Sequence, residues 1–199
     1  MISRVYLLWK RVADICLAVL LILTLFPLLL VCPLLSFWEI RLFPIYCSTR
    51  VGIHGKRFTM YKIRSMTRST NASLYSFAND TRIPYFCRIM REFSLDELPQ
   101  LINILKGDMS FVGPRPCCVG EIETELGDNI DFASFRNLVK PGLTGLSQVN
   151  GRSSLKWKDK LYFDRLYIEE LKRHPFKTDL RIIGLTFSAL MRREVYDTY

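Results

Sequence analysis

Two adjacent carboxylates, Asp96 and Glu97, head the segment Ser94-Leu-Asp-Glu-Leu-Pro-Gln-Leu-Ile-Asn-Ile-Leu-Lys-Gly-Asp-Met-Ser-Phe-Val-Gly-Pro-Arg-Pro116. Neighbouring positions on a helix point about 100° apart, so the two acids cannot share one role on one face. One can attack an electrophile while the other holds a cation. A plainer reading stands beside this one. Ser94 and Glu97 have the spacing of a capping box, and acids in a first turn complement the helix dipole. Pro99 belongs in a first turn, so the spacing predicts a helix that starts close to Asp96. Leu98, Leu101, Ile102 and Leu105 are spaced as its packed face. Gly107 is expected as its left-handed cap. Beyond it, Arg115 is held between two prolines, each with a fixed φ.

Three other groups of residues bear on the same chemistry. Tyr61-Lys62-Ile63-Arg64-Ser65-Met66 offers two cations on a β-prone run. Asp80, Arg82, Arg88 and Arg91 precede the acids. Pro141-Gly-Leu-Thr-Gly-Leu-Ser-Gln-Val-Asn-Gly-Arg152 combines glycines, which let backbone approach a ligand, with the donors of Gln148 and Arg152. A Gly-rich connector is the simpler reading of that last stretch.

Taken together, these segments resemble the bacterial sugar transferases, specifically the small monotopic phosphoglycosyl transferases. The resemblance runs from about Lys10 to about Thr186 and rests on the Leu95–Pro116 segment, Tyr61–Met66 and Pro141–Arg152. It implies transfer of a sugar phosphate from a UDP-sugar to undecaprenyl (polyprenol) phosphate, with release of UMP, as the start of a membrane glycan. Asp96 is then the nucleophile, Glu97 the Mg²⁺ ligand and Arg115 a phosphate-holding residue of the catalytic group. Lys62, Arg64, Arg88, Gln148 and Arg152 line the substrate. Downstream glycosyltransferases are the expected protein partners. The alternative is a catalytically silent membrane partner in a glycan assembly complex, which predicts erosion of the acidic pair; Asp96 and Glu97 are intact. A lipid phosphatase would need a water-activating base, and His54 and His174 stand in unpromising contexts. The chain departs from the family pattern at Phe26, Cys47, Ser48, Pro84 and Cys87. These positions bear on local substrate contacts and the membrane helix, not on the reaction.

The rest of the chain must place that site. Its 199 residues allow one ordinary domain and a membrane segment. It is 49% apolar, with the excess near the N-terminus, and its net charge is +9. Such a charge suits anionic lipid or phosphorylated substrates. With no nucleic-acid module and no basic low-complexity tail, a membrane surface and phosphate are the expected partners rather than nucleic acid. The six cysteines have no metal-ligand spacing and read as free thiols in a reducing cytoplasm.

An uncharged run of 23 residues, Ile15 to Phe37, is long enough to span a bilayer. No small-residue cleavage site follows it, which argues against a signal peptide. Pro27 and Pro33 each delete a helical hydrogen bond, and Thr24 is placed to serve the carbonyl that Pro27 frees. Cations flank both ends, Arg4, Lys10 and Arg11 before and Arg41, Arg50, Lys56 and Arg57 after. Positive flanks mark the cytoplasmic side. The residues alone leave a span and a re-entrant helix bent at Pro27 open; the resemblance favours the second. The expected fold is α+β and mostly helical. It has a re-entrant membrane helix over 1–38 and an interfacial catalytic domain over 39–199, on the cytoplasmic face of the bacterial inner membrane.

Within that second unit, Gly52-Ile-His-Gly55 reads as the turn of a β-hairpin, with His54 a turn residue. Thr67 to Asn79 reads as a polar loop and Val119 to Asn137 as a helical connector. Trp157–Leu171 and Leu180–Met191 are amphipathic, suited equally to core packing and to the membrane interface.

Overall fold

The computed structural model describes residues 2–67, 80–118, 134–151 and 155–191. The Thr67–Asn79 loop beyond Thr67, the Val119–Asn137 connector for the most part, and Arg152 lie outside the described residues. The architecture is mostly helical with one small antiparallel hairpin.

The long apolar run is not one helix. It folds as α1 (Arg4–Thr24) and α2 (Phe26–Ile40), bent by 66° at Leu25. Neither helix alone is long and apolar enough to cross a membrane; together the bent pair is. Pro27 sits in the first turn of α2, where its missing N–H costs no intrahelical bond. Pro33 is accommodated inside α2. Thr24 donates to the carbonyls of Leu20 (2.9 Å) and Leu21 (3.4 Å), one turn back on its own helix. It does not serve the Leu23 carbonyl freed by Pro27, because a threonine hydroxyl reaches the preceding turn, not its neighbour. Leu20, Leu23, Phe26, Leu30 and Leu34 are exposed along the pair.

The hairpin forms as its turn predicts: β1 (Ile45–Val51) pairs antiparallel with β2 (Arg57–Ile63), Ser48 opposite Met60. His54 is in the turn, with φ 54°. α3 (Tyr85–Glu92), a 3-10 turn over Leu95–Glu97 and α4 (Gln100–Lys106) follow.

Two short strands were not legible beforehand. β3 (Ser110–Val112) pairs in parallel with β4 (Gly142–Thr144), which joins the segment leading to Arg115 to the Gly-rich stretch. The glycines there serve backbone against backbone. A Cβ on Gly142 would lie 2.1 Å from the Gly113 N, and one on Gly145 would lie 2.1 Å from the Gly113 O. The short helix α5 (Leu146–Val149) and the long helices α6 (Trp157–Arg173) and α7 (Pro175–Met191) complete the chain.

One apolar cluster gathers Tyr6 and Ala18 of α1, Leu101 and Ile104 of α4, Val112 of β3, and Tyr167, Ile168 and Leu171 of α6. A second joins Cys32 and Ile40 of α2 to Ile63, Cys87 and Met90. The two amphipathic helices differ. α6 buries Trp157, Leu161, Ile168 and Leu171, so its apolar stripe is core. α7 buries Thr178 and Ile182 but exposes Leu180, Leu185, Phe187 and Leu190.

Candidate active site

The acidic pair does not begin a helix. Asp96 and Glu97 occupy the separate turn Leu95–Glu97, and α4 starts after Pro99. The capping box is not formed: Ser94 makes no side-chain cap bond and its backbone is left-handed, with φ 55°. The backbone stays right-handed through Leu98 and Pro99, but Pro99 has no N–H to continue the hydrogen-bond ladder, so the one expected helix is divided into turn and helix. The packed face of α4 also differs. Leu101, Asn103 and Ile104 are buried while Ile102 is 47% exposed, because Asn103 fixes which side of the helix meets β2. Gly107 does cap α4 in the left-handed region, with φ 90°.

Both acids are buried, and cations face them. Lys62 Nζ donates to Glu97 Oε1 at 2.8 Å, and Arg115 Nη2 lies 3.6 Å from the same oxygen. Burial lowers the pKa of the Lys62 ammonium, and the Glu97 carboxylate opposes that shift. Asp96 stands close enough to act electrostatically on Lys62. Four charged side chains from three segments therefore meet in one place. Successive positions on a 3-10 turn point about 120° apart, so the acids still aim at different targets.

Residues outside this cluster set its geometry. Asn103 Oδ1 accepts from the Tyr61 N–H (3.1 Å), and its Nδ2 donates to the Thr59 carbonyl (2.7 Å). That double bond clips β2 to α4 and brings Lys62 to Glu97. Arg136, buried, donates to the Arg115 carbonyl at 2.7 Å and to Asp164 at 2.6 Å, and it also contacts Cys117. Arg50 donates to the Pro116 carbonyl at 3.3 Å. The Pro-Arg-Pro backbone is thus gripped by two arginines while the Arg115 side chain points to the acids. Asp14 of α1, also buried, accepts from the Ser110 hydroxyl and the Phe111 N–H, both at 3.1 Å, and so anchors β3.

The remaining sequence candidates make other contacts. Arg64 donates to the Phe43 carbonyl at 2.8 Å and stacks over Tyr46, at the open end of the hairpin. Arg88 is exposed on α3. Gln148 is buried, donating to the Gly142 carbonyl (3.5 Å) and accepting from Ser147 (3.2 Å), so it is engaged in the framework. Of the positions that depart from the family pattern, Cys47 is exposed on β1 and Ser48 accepts from Arg50 Nε at 3.2 Å. Pro84 precedes α3 and Cys87 is fully buried. All six cysteines are free.

The sequence model of the family described as "Bacterial sugar transferase" matches residues 5–193. The chain belongs to that family. Among the relatives of this bacterial sugar transferase, an undecaprenyl-phosphate galactose phosphotransferase of Salmonella typhimurium is 39% identical over 75% of the chain and 34% of its own length. A UDP-glucose:undecaprenyl-phosphate glucose-1-phosphate transferase of Escherichia coli is 36% identical over 98% of the chain and 43% of its own length. The exopolysaccharide production protein ExoY of Sinorhizobium fredii is 36% identical over 91% of the chain and 84% of its own length. The transferase chain thus spans about a third to two-fifths of the first two relatives and most of the third.

A divalent cation fits the donors present. Among the described residues no group of three or more His, Cys, Asp or Glu side chains converges. A site with one or two carboxylates and no thiolate suits Mg²⁺, which takes few protein ligands and completes its shell with water and phosphate oxygen. Glu97 is the carboxylate that would hold it.

Proposed function

We propose that this chain transfers a sugar phosphate from a UDP-sugar to undecaprenyl (polyprenol) phosphate, through a covalent phosphosugar on Asp96. The observation that carries the proposal is the buried acidic pair in one turn, with Lys62 and Arg115 on it from two other segments. The names of the relatives, galactose and glucose-1-phosphate transferases acting on undecaprenyl phosphate, agree with it.

A carboxylate oxygen of Asp96 attacks the β-phosphorus of the UDP-sugar. The bond from that phosphorus to the bridging oxygen breaks, and UMP leaves with the electron pair. An oxygen of the polyprenol phosphate then attacks the acyl phosphate, which returns the Asp96 carboxylate and forms a polyprenol diphosphate sugar. Splitting one displacement into two is the gain of covalent catalysis. Glu97 would hold Mg²⁺, whose charge offsets repulsion between the carboxylate and the diphosphate. Lys62 and Arg115 place two cations beside the transferred phosphate, Arg115 with a fork suited to phosphate oxygens.

A water-soluble donor and a lipid-borne acceptor must meet at a membrane surface. Both arms of the bent helix pair contact the same body. Arg11 and Asp14 of α1 bond α4 and β3, while Ser36 and Glu39 of α2 bond the Arg64 carbonyl and α3. This supports a re-entrant arm over 1–38 that enters and leaves one leaflet, with the unit over 39–199 on the cytoplasmic face of the inner membrane. The exposed apolar side of α7 would lie in the same interface.

Intact-mass measurement of wild-type protein with UDP-glucose or UDP-galactose, without acceptor, tests the intermediate. A phosphosugar adduct with stoichiometric UMP is expected, and none from Asp96→Asn. An adduct on Asp96→Asn, or none on wild type with any donor of a UDP-sugar panel, overturns the role of Asp96.

A further inference from the structure

The acidic turn lies between α3 and α4, and each of these helices is held at its far end by an opposite charge from a different arm of the bent pair. At the start of α3, Glu39 Oε1 accepts from the Phe86 N–H and Oε2 from the Cys87 N–H, both at 3.0 Å. These N–H groups belong to the first turn, which has no intrahelical acceptors for them. At the end of α4, Arg11 Nη1 donates to the Ile104 carbonyl at 2.6 Å and Nη2 to the Leu105 carbonyl at 2.7 Å. An anion sits at a helix N-terminus and a cation at a helix C-terminus, so both contacts complement the helix dipoles. Arg11 is on α1 and Glu39 on α2, on opposite sides of the 66° bend.

We infer that Arg11 and Glu39 form a two-armed clamp through which the bent helix pair positions the Asp96–Glu97 turn. The turn itself is short. It is three residues long and begins after the left-handed backbone of Ser94, a conformation that costs a non-glycine residue about 1 kcal/mol or more. Such a conformation persists where its surroundings hold it. Leu95, next to Asp96, packs on the cluster formed by Cys32, Ile40 and Cys87, so the α2 arm also touches the turn directly. On the other side, Ser36 donates to the Arg64 carbonyl, two residues beyond Lys62. The α2 arm therefore supports both partners of the Lys62–Glu97 pair. Arg11 and Glu39 are positioning residues. They touch no reacting atom, and a change in the bend would reach the acids through them.

The inference rests on the proposed role of the acidic pair, so the test has one readout that needs no turnover. Arg11→Gln and Glu39→Gln are compared with wild type, with Arg181→Ala (an exposed ion pair with Glu170) and with Asp96→Asn. Amide exchange of a peptide covering 94–101 is measured beside peptides from α6, and UMP release from UDP-glucose and UDP-galactose gives kcat and KM. Each clamp variant is expected to speed exchange across 94–101 while α6 keeps its protection. Each is expected to lower kcat about tenfold or more with KM within about twofold, because small misplacement of a reacting group costs rate rather than binding. Releasing one end suffices, so the double variant should lose little more than either single one. Arg11→Lys, which keeps the charge but one carbonyl at a time, should lose less. Arg181→Ala should match wild type. Unchanged exchange at 94–101 in both variants overturns the clamp, and so does a uniform loss of protection with kcat intact. Normal turnover by Asp96→Asn instead overturns the reaction assigned to Asp96, and the exchange data still judge the clamp.

Discussion

Lys62 donates to Glu97 Oε1 at 2.8 Å, from a β-strand to a 3-10 turn, and both side chains are largely buried. A buried pair is a weak source of net stability, yet breaking it from one side leaves an uncompensated charge. Lys62→Met should lower stability by roughly 3–5 kcal/mol, read as the shift in a denaturant or thermal transition. The double variant Lys62→Met/Glu97→Gln should regain most of that stability and stay inactive. A double variant as unstable as the single would show that the pair's role in folding lies elsewhere.

Asn103 is the link that brings this pair together. Its side chain saturates the Tyr61 N–H and the Thr59 carbonyl, and it is fully buried. Asn103→Leu keeps the volume and leaves those two strand groups unsatisfied, at a cost of about 2–3 kcal/mol. UMP release per folded molecule should fall about tenfold or more, since Lys62 loses its fixed distance from the acids. Stability that falls while turnover per folded molecule stays at the wild-type level would show that β2 finds its place without the clip.

The Cys87 thiol offers a pH-dependent test of the α2–α3 contact. Burial, helped by the adjacent Glu39 carboxylate, pushes its pKa up to about 12. A raised thiol pKa means that the folded state keeps a proton the unfolded state has lost. Its contribution is therefore harmless below the ordinary thiol value of 9.0 and becomes destabilising as pH climbs from there toward 12. Maleimide should modify the exposed Cys47 at pH 8 and leave Cys87 untouched until the protein unfolds. Glu39→Gln should lower the Cys87 pKa and so weaken the loss of stability between pH 9.0 and about 12. Labelling of Cys87 at the same rate as Cys47 would contradict the burial and the Glu39 contact together.

Local signals in the sequence held where the cause was local. Gly52–Gly55 turned a hairpin, Gly107 capped a helix, Pro27 marked a bend, and Trp157–Leu171 packed one stripe inward. The resemblance implied that Lys62 lines the substrate and that Arg115 holds phosphate; their contacts with Glu97 appear only in the fold. Asn103, Arg136, Glu39 and Asp14 were not legible, since each acts on backbone or charge far away in the chain. A polar residue in an apolar pattern was the one available sign, at Asn103 and Asp14. β3 and β4 are three residues each, too short to carry a strand pattern. Lys10 and Arg11 read as flanking charges and proved to be internal partners, of Asp179 and of α4. Their service as a topological signal is therefore weaker than their number suggests.

The contacts themselves bear on topology more strongly. A chain that crosses a bilayer once leaves its two ends in different compartments. Here the start of α1 bonds Asp179 through Tyr6 at 2.6 Å, and the end of α2 bonds α3 through Glu39 at 3.0 Å. Asp179 and α3 belong to one body, joined through α4 and the core cluster. In the proposed re-entrant arm both ends of the pair lie on the side of that body, with the bend at Leu25 as its deepest point. With Cys16, Cys47 and Cys118 changed to Ser, single cysteines at Ser3 and at Phe43 should both resist a membrane-impermeant maleimide added to intact cells. Both should react after lysis. Pro27→Ala restores an N–H that can bond the Leu23 carbonyl, so it should open the bend and pull Arg11 and Glu39 apart from the ends of α4 and α3. Reduced UMP release is expected in step with that opening. Labelling of the Ser3 site from outside intact cells, with Phe43 protected, would make the pair a kinked span and end the re-entrant reading.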